Sequence, residues 1–303
     1  MTIHCDASTL ESADRLIALG LDEDLQQVGD LTSQATVPED CTADVVIAAR
    51  EAGVLSGSVL IERVYRKLCE RLGEASDAVT VRRHLTDGTY LKRGDLVATV
   101  SGSVRLLLTG ERTVLNLLIH LSGVASLTAE FVRRSAGSRA VILDTRKTLP
   151  GYRLLQKYAV RCGGGTNHRM GLFDGLLIKD NHLAARGNRS VANAVQVSRA
   201  YLNERQLVIP VEVEVDTLQQ LQDALQVQPD IVLLDNMSTS QLQQAVKLRD
   251  KHSPSTLLEA SGGVSLETIG CISSTGVDRI SIGALTHSAP ALDLGYDWPW
   301  KKS

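Results

Sequence analysis

Ala140-Val141-Ile142-Leu143-Asp144-Thr145-Arg146-Lys147-Thr148-Leu149-Pro150-Gly151 joins four apolar residues to an acid and two cations, then stops at a Pro-Gly pair. A short, uninterrupted apolar run reads as a strand buried on both faces. The charged residues behind it fall where that strand ends and a loop begins. The same pattern recurs downstream. Residues 175–178 end in Lys179, residues 207–215 carry Glu212 and Glu214, and residues 231–234 end in Asp235 and Asn236. Residues 256–258 lead to Glu259, Ser261 and Gly262, and residues 279–282 lead to Gly283. Helix-like stretches separate these runs, for example residues 218–225 and 240–249. Parallel strands need such crossovers, so the fold is α/β, as a β/α barrel or a doubly wound sheet. Polar groups at the ends of many different strands favour the barrel, because an open sheet concentrates them at one switch point. Six runs fall short of the eight strands of a full barrel, so an incomplete, about six-stranded α/β barrel is expected, with room for one strand near residues 100–108.

Before this alternation the chain reads differently. A helical opening at residues 10–19, a helix at 58–71 and β-like runs at 43–48, 78–84 and 96–101 describe a small α+β domain. The expected division is residues 1–115, joined by the tail 288–303, and a barrel over 116–287, whose first element is a long amphipathic segment at 111–134.

Aromatic residues make up only 3 % of the chain, so the core must be aliphatic, which suits layered α/β packing. A net charge of −3 argues against a nucleic-acid binder, whose footprint is a basic face. Five scattered cysteines without a C-x-x-C pair suggest neither a disulfide framework nor a zinc site. The N-terminus has no basic segment followed by an apolar run, and no stretch reaches roughly 18 uninterrupted apolar residues. No membrane partner and a reduced cytoplasmic location are the expectation.

Arg112, Arg146, Lys147, His168, Arg169 and Lys179 form a candidate anion site; His168 and Arg169 follow the permissive Gly163-Gly164-Gly165 loop. Arginine forks match carboxylates bidentately, whereas lysine acts as a movable point charge. Any one of them alone reads as a solvated loop charge, but their clustering at strand ends points to a pocket. Glu214 and Asp235 close consecutive strands and suit Mg²⁺, which binds through one or two carboxylates and substrate phosphates. Glu212 shares the Glu214 face, so either can take part. The bland reading of Asp235 is a helix cap. Ser261-Gly262-Gly263 and Ser281-Ile282-Gly283 precede helix-like segments, where glycine lets backbone N–H groups approach a phosphate.

These residues resemble the quinolinate phosphoribosyltransferase family (nicotinate-nucleotide pyrophosphorylase, carboxylating). The similarity runs over nearly the whole chain. It includes Gly29-Asp30-Leu31-Thr32, Arg50-Glu51-Ala52-Gly53-Val54, Leu108-Thr109-Gly110-Glu111-Arg112-Thr113, the Asp144–Gly151 run, Gly163–Arg169, Ile178–His182, Leu233–Asn236, Glu259–Gly263 and Gly283–His287. The resemblance implies transfer of ribose phosphate from 5-phosphoribosyl 1-pyrophosphate to the nitrogen of quinolinate, giving nicotinate mononucleotide, pyrophosphate and CO₂. It implies that Arg146, His168, Arg169 and Lys179, beside Thr145, hold the quinolinate carboxylates, with Lys147 between both substrates. Arg112 would come from the neighbouring subunit of a head-to-tail homodimer. Glu214 and Asp235 would position Mg²⁺, and Ser261, Gly262, Gly263, Gly283 and His287 would surround phosphate. An N-terminal α/β sandwich and an α/β barrel are the implied domains.

Three rivals remain. One is a same-fold paralogue with another acceptor, and one is a Schiff-base lyase using Lys179. The third, a silent binding protein, has no need of the Glu214/Asp235 pair.

Overall fold

A computed structural model describes residues 4–300, which divide into two units. The first comprises the chain up to residue 129, residues 148–164 and the chain from residue 285 onward; the second comprises residues 130–147 and 165–284.

The first unit holds helices α1 (Ala7–Leu25) and α2 (Leu31–Thr36), strands β1 (Thr42–Ala49) and β2 (Gly53–Val54), and helix α3 (Leu60–Leu72). Strands β3 (Val79–Arg83), β4 (Tyr90–Leu91) and β5 (Leu96–Ser103) follow, then the long helix α4 (Val104–Arg134), which runs on into the second unit. α1 starts because the Asp6 carboxylate accepts the Thr9 N–H, and it buries Ala13, Ile17, Leu21 and Leu25 at helical spacing of four. α1 and α3 pack on one another. The main sheet is antiparallel, in the order β12-β1-β5-β3, with β12 (Leu294–Asp297) contributed by the tail. No barrel strand occurs at residues 100–108. Val100 pairs with Val45 and Val81 inside this antiparallel sheet, and the helix begins at Val104. The 115/116 boundary read from the sequence falls within α4, and residues 116–129 and 148–164 cluster with the first unit. By length and composition α4 could cross a membrane, but 61 % of its most apolar stretch is buried, as in a core helix.

The second unit is built on β6 (Val141–Leu143), β7 (Leu176–Ile178), β8 (Val211–Val215), β9 (Ile231–Asp235), β10 (Leu257–Ser261) and β11 (Arg279–Ser281). They form one sheet in the order β6-β11-β10-β9-β8-β7, and every neighbouring pair is parallel. Apart from α5 (Arg153–Cys162), which lies in the first unit, helices α6 (Asp180–Ala185), α7 (Val191–Glu204), α8 (Leu218–Leu225), α9 (Thr239–His252) and α10 (Ile269–Ser273) link these strands. Ile231, Val232, Leu233 and Leu234 are all buried, as a strand covered on both faces requires. β8 starts at Val211 and not at residue 207, because Val208 is 99 % exposed and cannot belong to a covered strand. The expected six-stranded, incomplete barrel is therefore the observed architecture.

The close approach of α4 to the tail sets a stability prediction. A Cβ on Gly123 would lie 2.0 Å from the Pro290 carbonyl oxygen, a rigid backbone atom. Gly123→Ala should destabilise the protein by about 1–3 kcal/mol, the range for overpacking, read as a lowered thermal midpoint. An unchanged midpoint would contradict this packing.

Candidate active site

Parallel strands end together, so their terminal residues line one edge. In register, Ser261 lies opposite Asp235, Glu214 opposite Leu233, and Ser281 opposite Leu143. A cavity of about 630 Å³ opens at this edge. Its wall carries Thr145, Arg146, Lys147, His168, Arg169 and Lys179, facing Glu214, Asp235 and the Ser261-Gly262-Gly263 turn.

The loop after β6 is anchored from below. Thr166 continues beside β6, donating to the Ile142 carbonyl at 2.8 Å. The fully buried Asp144 carboxylate accepts the His168 N–H at 2.9 Å and the Asn167 amide at 2.6 Å. Thr145 Oγ1 accepts the Lys147 N–H at 3.1 Å. These bonds bring the Arg146-Lys147 and His168-Arg169 pairs to one wall. Arg169 Nη1 donates to the Gly175 carbonyl at 2.9 Å, and burial, then the Arg146 charge, lower its pKa. Arg146 Nε is buried and has no hydrogen-bond partner among the described residues. A desolvated guanidinium N–H lacking an acceptor is costly, and an incoming carboxylate would supply one.

Lys179 ends the β7 run, its N–H held by His182 Nδ1 at 2.9 Å, and its Nζ lies 2.5 Å from Glu214 Oε2. Thus the expected acceptor lysine and one expected metal carboxylate form an ion pair. Asp235, at the end of β9, accepts the Asn236 side-chain amide at 2.7 Å. Glu214 and Asp235 stand on neighbouring strands with only oxygen donors, half-buried at the same cavity, a set that fits a hard cation such as Mg²⁺. Gly262 (φ +89°) and Gly263 (φ +58°) adopt left-handed conformations that favour glycine. Gly283 follows Ile282, whose N–H donates to the Leu143 carbonyl at 2.9 Å. Arg112 and His287 belong to the first unit. Arg112 is exposed on α4 beside Glu111 and the β12 residue Tyr296; His287 ends α11 (Ala284–His287) and Nδ1 lies 2.6 Å from Ser288 Oγ.

Beneath the cations, His168 meets a pair of buried acids and Arg279, an arrangement that the sequence reading did not contain. His168 Nε2 sits 3.2 Å from Glu212 and 3.3 Å from Glu259, both buried, and Glu259 Oε2 also accepts Arg279 Nε at 2.7 Å. Burial opposes charge on His168, but the two carboxylates raise its pKa to about 9. Against that rise, the ring's Nδ1 accepts the Arg169 N–H at 2.7 Å, a contact that favours the neutral ring with its proton on Nε2. A second proton requires releasing the Arg169 amide, and both ring nitrogens are committed to protein groups. Burial raises Glu212, aided by the Glu259 charge; at Glu259 the same burial is outweighed by His168 and Arg279, which hold it low. The signal available in the sequence was side-chain alternation, which turns Glu212 inward with Glu214 and Glu259 inward with Ser261.

The description "Quinolinate phosphoribosyl transferase, N-terminal domain" matches residues 30–122, and the corresponding C-terminal domain matches residues 124–297. The chain belongs to the quinolinate phosphoribosyl transferase family. It is similar to the carboxylating nicotinate-nucleotide pyrophosphorylase of Mycobacterium leprae, 46 % identical over 287 residues, covering 95 % of this chain and 97 % of the relative. A probable enzyme of the same name from Bacillus subtilis is 40 % identical, covering 89 % of this chain and 88 % of the relative. Among solved structures, NadC from Streptococcus pyogenes superposes with a TM-score of 0.86 at 40 % identity, covering 97 % of this chain and 99 % of that one. The nicotinate-nucleotide pyrophosphorylase of Francisella tularensis gives 0.83 at 35 % identity, covering 98 % and 99 %.

The buried ion cluster predicts a stability effect. Arg279→Leu leaves the buried Glu259 carboxylate with only His168, and should cost about 3 kcal/mol or more, the scale for breaking a buried pair from one side. Equilibrium denaturation that shows less than about 1 kcal/mol would contradict the role of that pair.

Proposed function

We propose that the protein is a decarboxylating quinolinate phosphoribosyltransferase. It joins quinolinate to 5-phosphoribosyl 1-pyrophosphate and releases pyrophosphate and CO₂ to form nicotinate mononucleotide, in de novo NAD biosynthesis. The observation that carries this reading is the partnerless, buried Nε of Arg146 in a wall shared with Lys147, Arg169 and Lys179. Two adjacent carboxylates on the acceptor satisfy that concentration of positive charge.

Arg146, Arg169 and Lys179 hold the acid and orient its ring, and His168 supports Arg169 through its amide. Positioning the pyridine nitrogen against the ribose C1 is the main catalytic task. The nitrogen lone pair forms the new C–N bond as the C1–O bond to pyrophosphate breaks. In the pyridinium product the bond from C2 to its carboxylate breaks, CO₂ leaves, and the electron pair stays beside N⁺ until C2 gains a proton. Lys147, between the substrates, offsets charge on the departing pyrophosphate. Glu214 and Asp235 would hold Mg²⁺, which supplies charge neutralisation for the diphosphate when bound. Ser261, Gly262, Gly263 and Gly283 would bind phosphate in this reading, and the family resemblance gives His287 the same role. Arg112 reaches the site of the neighbouring subunit in a homodimer, and the enzyme works in the cytoplasm without nucleic-acid or membrane partners. A same-fold transferase with another acceptor is the alternative.

Calorimetry of quinolinate binding tests the clamp. Arg146→Ala should weaken binding by roughly ten- to a hundredfold, the worth of a charge-assisted bond, and unaltered affinity would refute the assignment. Asp235→Asn should abolish most turnover while leaving quinolinate affinity within about threefold, a difference of under 1 kcal/mol. Equal loss of both would contradict the division of the pocket into an acid side and a diphosphate side.

A further inference from the structure

Asn236 directly follows Asp235 and has φ +51°. The other non-glycine residues with positive φ among those described are Gln26, Gln206 and Gln228, and none lines the cavity, whereas Asn236 does. Asparagine tolerates this left-handed conformation better than other side chains, yet the position still marks a backbone held by its surroundings. Three contacts hold it. The side-chain amide donates to Asp235 Oδ2 at 2.7 Å, and the backbone N–H donates to the Ser261 carbonyl at 2.9 Å. Third, a Cβ on Gly262 would lie 2.3 Å from Asn236 Oδ1, 2.6 Å from its Cγ and 3.0 Å from its backbone nitrogen. The Asn236 amide therefore fills the space that any other residue at 262 would need.

We propose that Asn236 is a positioning residue that ties the Asp235 carboxylate to the Ser261-Gly262-Gly263 turn, so that the metal and diphosphate side of the pocket is set as one unit. Free aspartate carboxylates rotate about χ2; the amide fixes which oxygen stays bound and which faces the cavity. The Ser261 carbonyl bond fixes the height of the turn relative to the end of β9. The acid-binding wall, on β6, β7 and the loop before β7, shares none of these contacts. This inference rests on the reading of Asp235 and the turn as the diphosphate side.

The test is calorimetry of Mg²⁺ with inorganic pyrophosphate, and separately of quinolinate, on the full-length wild type, Asn236→Gly, Asn236→Ala and Asp235→Asn. Glycine keeps the left-handed backbone and removes only the amide. Asn236→Gly is expected to weaken Mg²⁺-pyrophosphate binding by about tenfold, as for loss of a bond to a charged group. Quinolinate affinity should stay within about twofold and the thermal midpoint near that of the wild type. Asn236→Ala, strained as well, should bind Mg²⁺-pyrophosphate no better than the glycine variant. Steady-state rates should show the KM for 5-phosphoribosyl 1-pyrophosphate raised and that for quinolinate unmoved. If Asp235→Asn loses Mg²⁺-pyrophosphate and Asn236→Gly does not, the positioning role is overturned. The same holds if Asn236→Gly weakens both ligands equally, as a purely structural residue would. If Asp235→Asn binds Mg²⁺-pyrophosphate normally, the underlying reading of the diphosphate side fails instead.

Discussion

Parallel strand pairing is the constraint on which the site depends. With six strands running the same way, every carboxyl end reaches one edge, and helices or loops must return the chain to the other. Residues more than a hundred apart in sequence, such as Arg146 and Ser261, then share one wall without any long-range contact designed for them. An antiparallel sheet of the same composition would scatter these groups over two edges. The geometry also explains the division of labour, since β6 and β7 carry the cations while β8, β9 and β10 carry the carboxylates and glycines.

Gathering cations against a buried sheet has an electrostatic cost, and the protein meets it locally. Lys179 is paired with Glu214, Arg169 is partly engaged by a carbonyl, and beneath them Glu212, His168, Glu259 and Arg279 form a cluster in which acids and bases face one another. Arg146 brings to the cavity wall a buried Nε that no described residue satisfies. A pocket left short of one acceptor is prepared for an anion, and its preorganisation lowers the ordering cost of binding. His168 is accordingly a support as much as a wall residue: the carboxylates fix its proton on Nε2, and Nδ1 fixes the Arg169 amide.

The strands of the second unit were legible because doubly covered strands are continuous apolar runs, and the charge behind each run marked its end. α8 was read to its observed bounds from helical periodicity, whereas β8 was overextended because residues 207–210 are apolar yet Val208 is solvent-exposed. β2, β4 and α11 are too short to carry a period, and β12 is visible only through its pairing with β1. Within the site, the cations and the Glu214/Asp235 pair were readable as residue types at strand ends. Glu259 is recognisable in the sequence as a strand-end acid, but its burial against His168 and Arg279 is a tertiary fact. Asn236 was visible as a polar residue after β9; its positive φ and its fit against Gly262 were not, because both depend on the neighbouring turn.

The proposed reaction joins a dicarboxylate acid to a ribosyl diphosphate in one pocket. A coupled assay with quinolinate, 5-phosphoribosyl 1-pyrophosphate and Mg²⁺, following nicotinate mononucleotide and CO₂ together, tests it most directly. The two products should form in equal amounts, both should be lost on chelating the metal, and nicotinate in place of quinolinate should give almost no product. A folded sample that forms no mononucleotide from quinolinate, or that accepts nicotinate equally well, would contradict it.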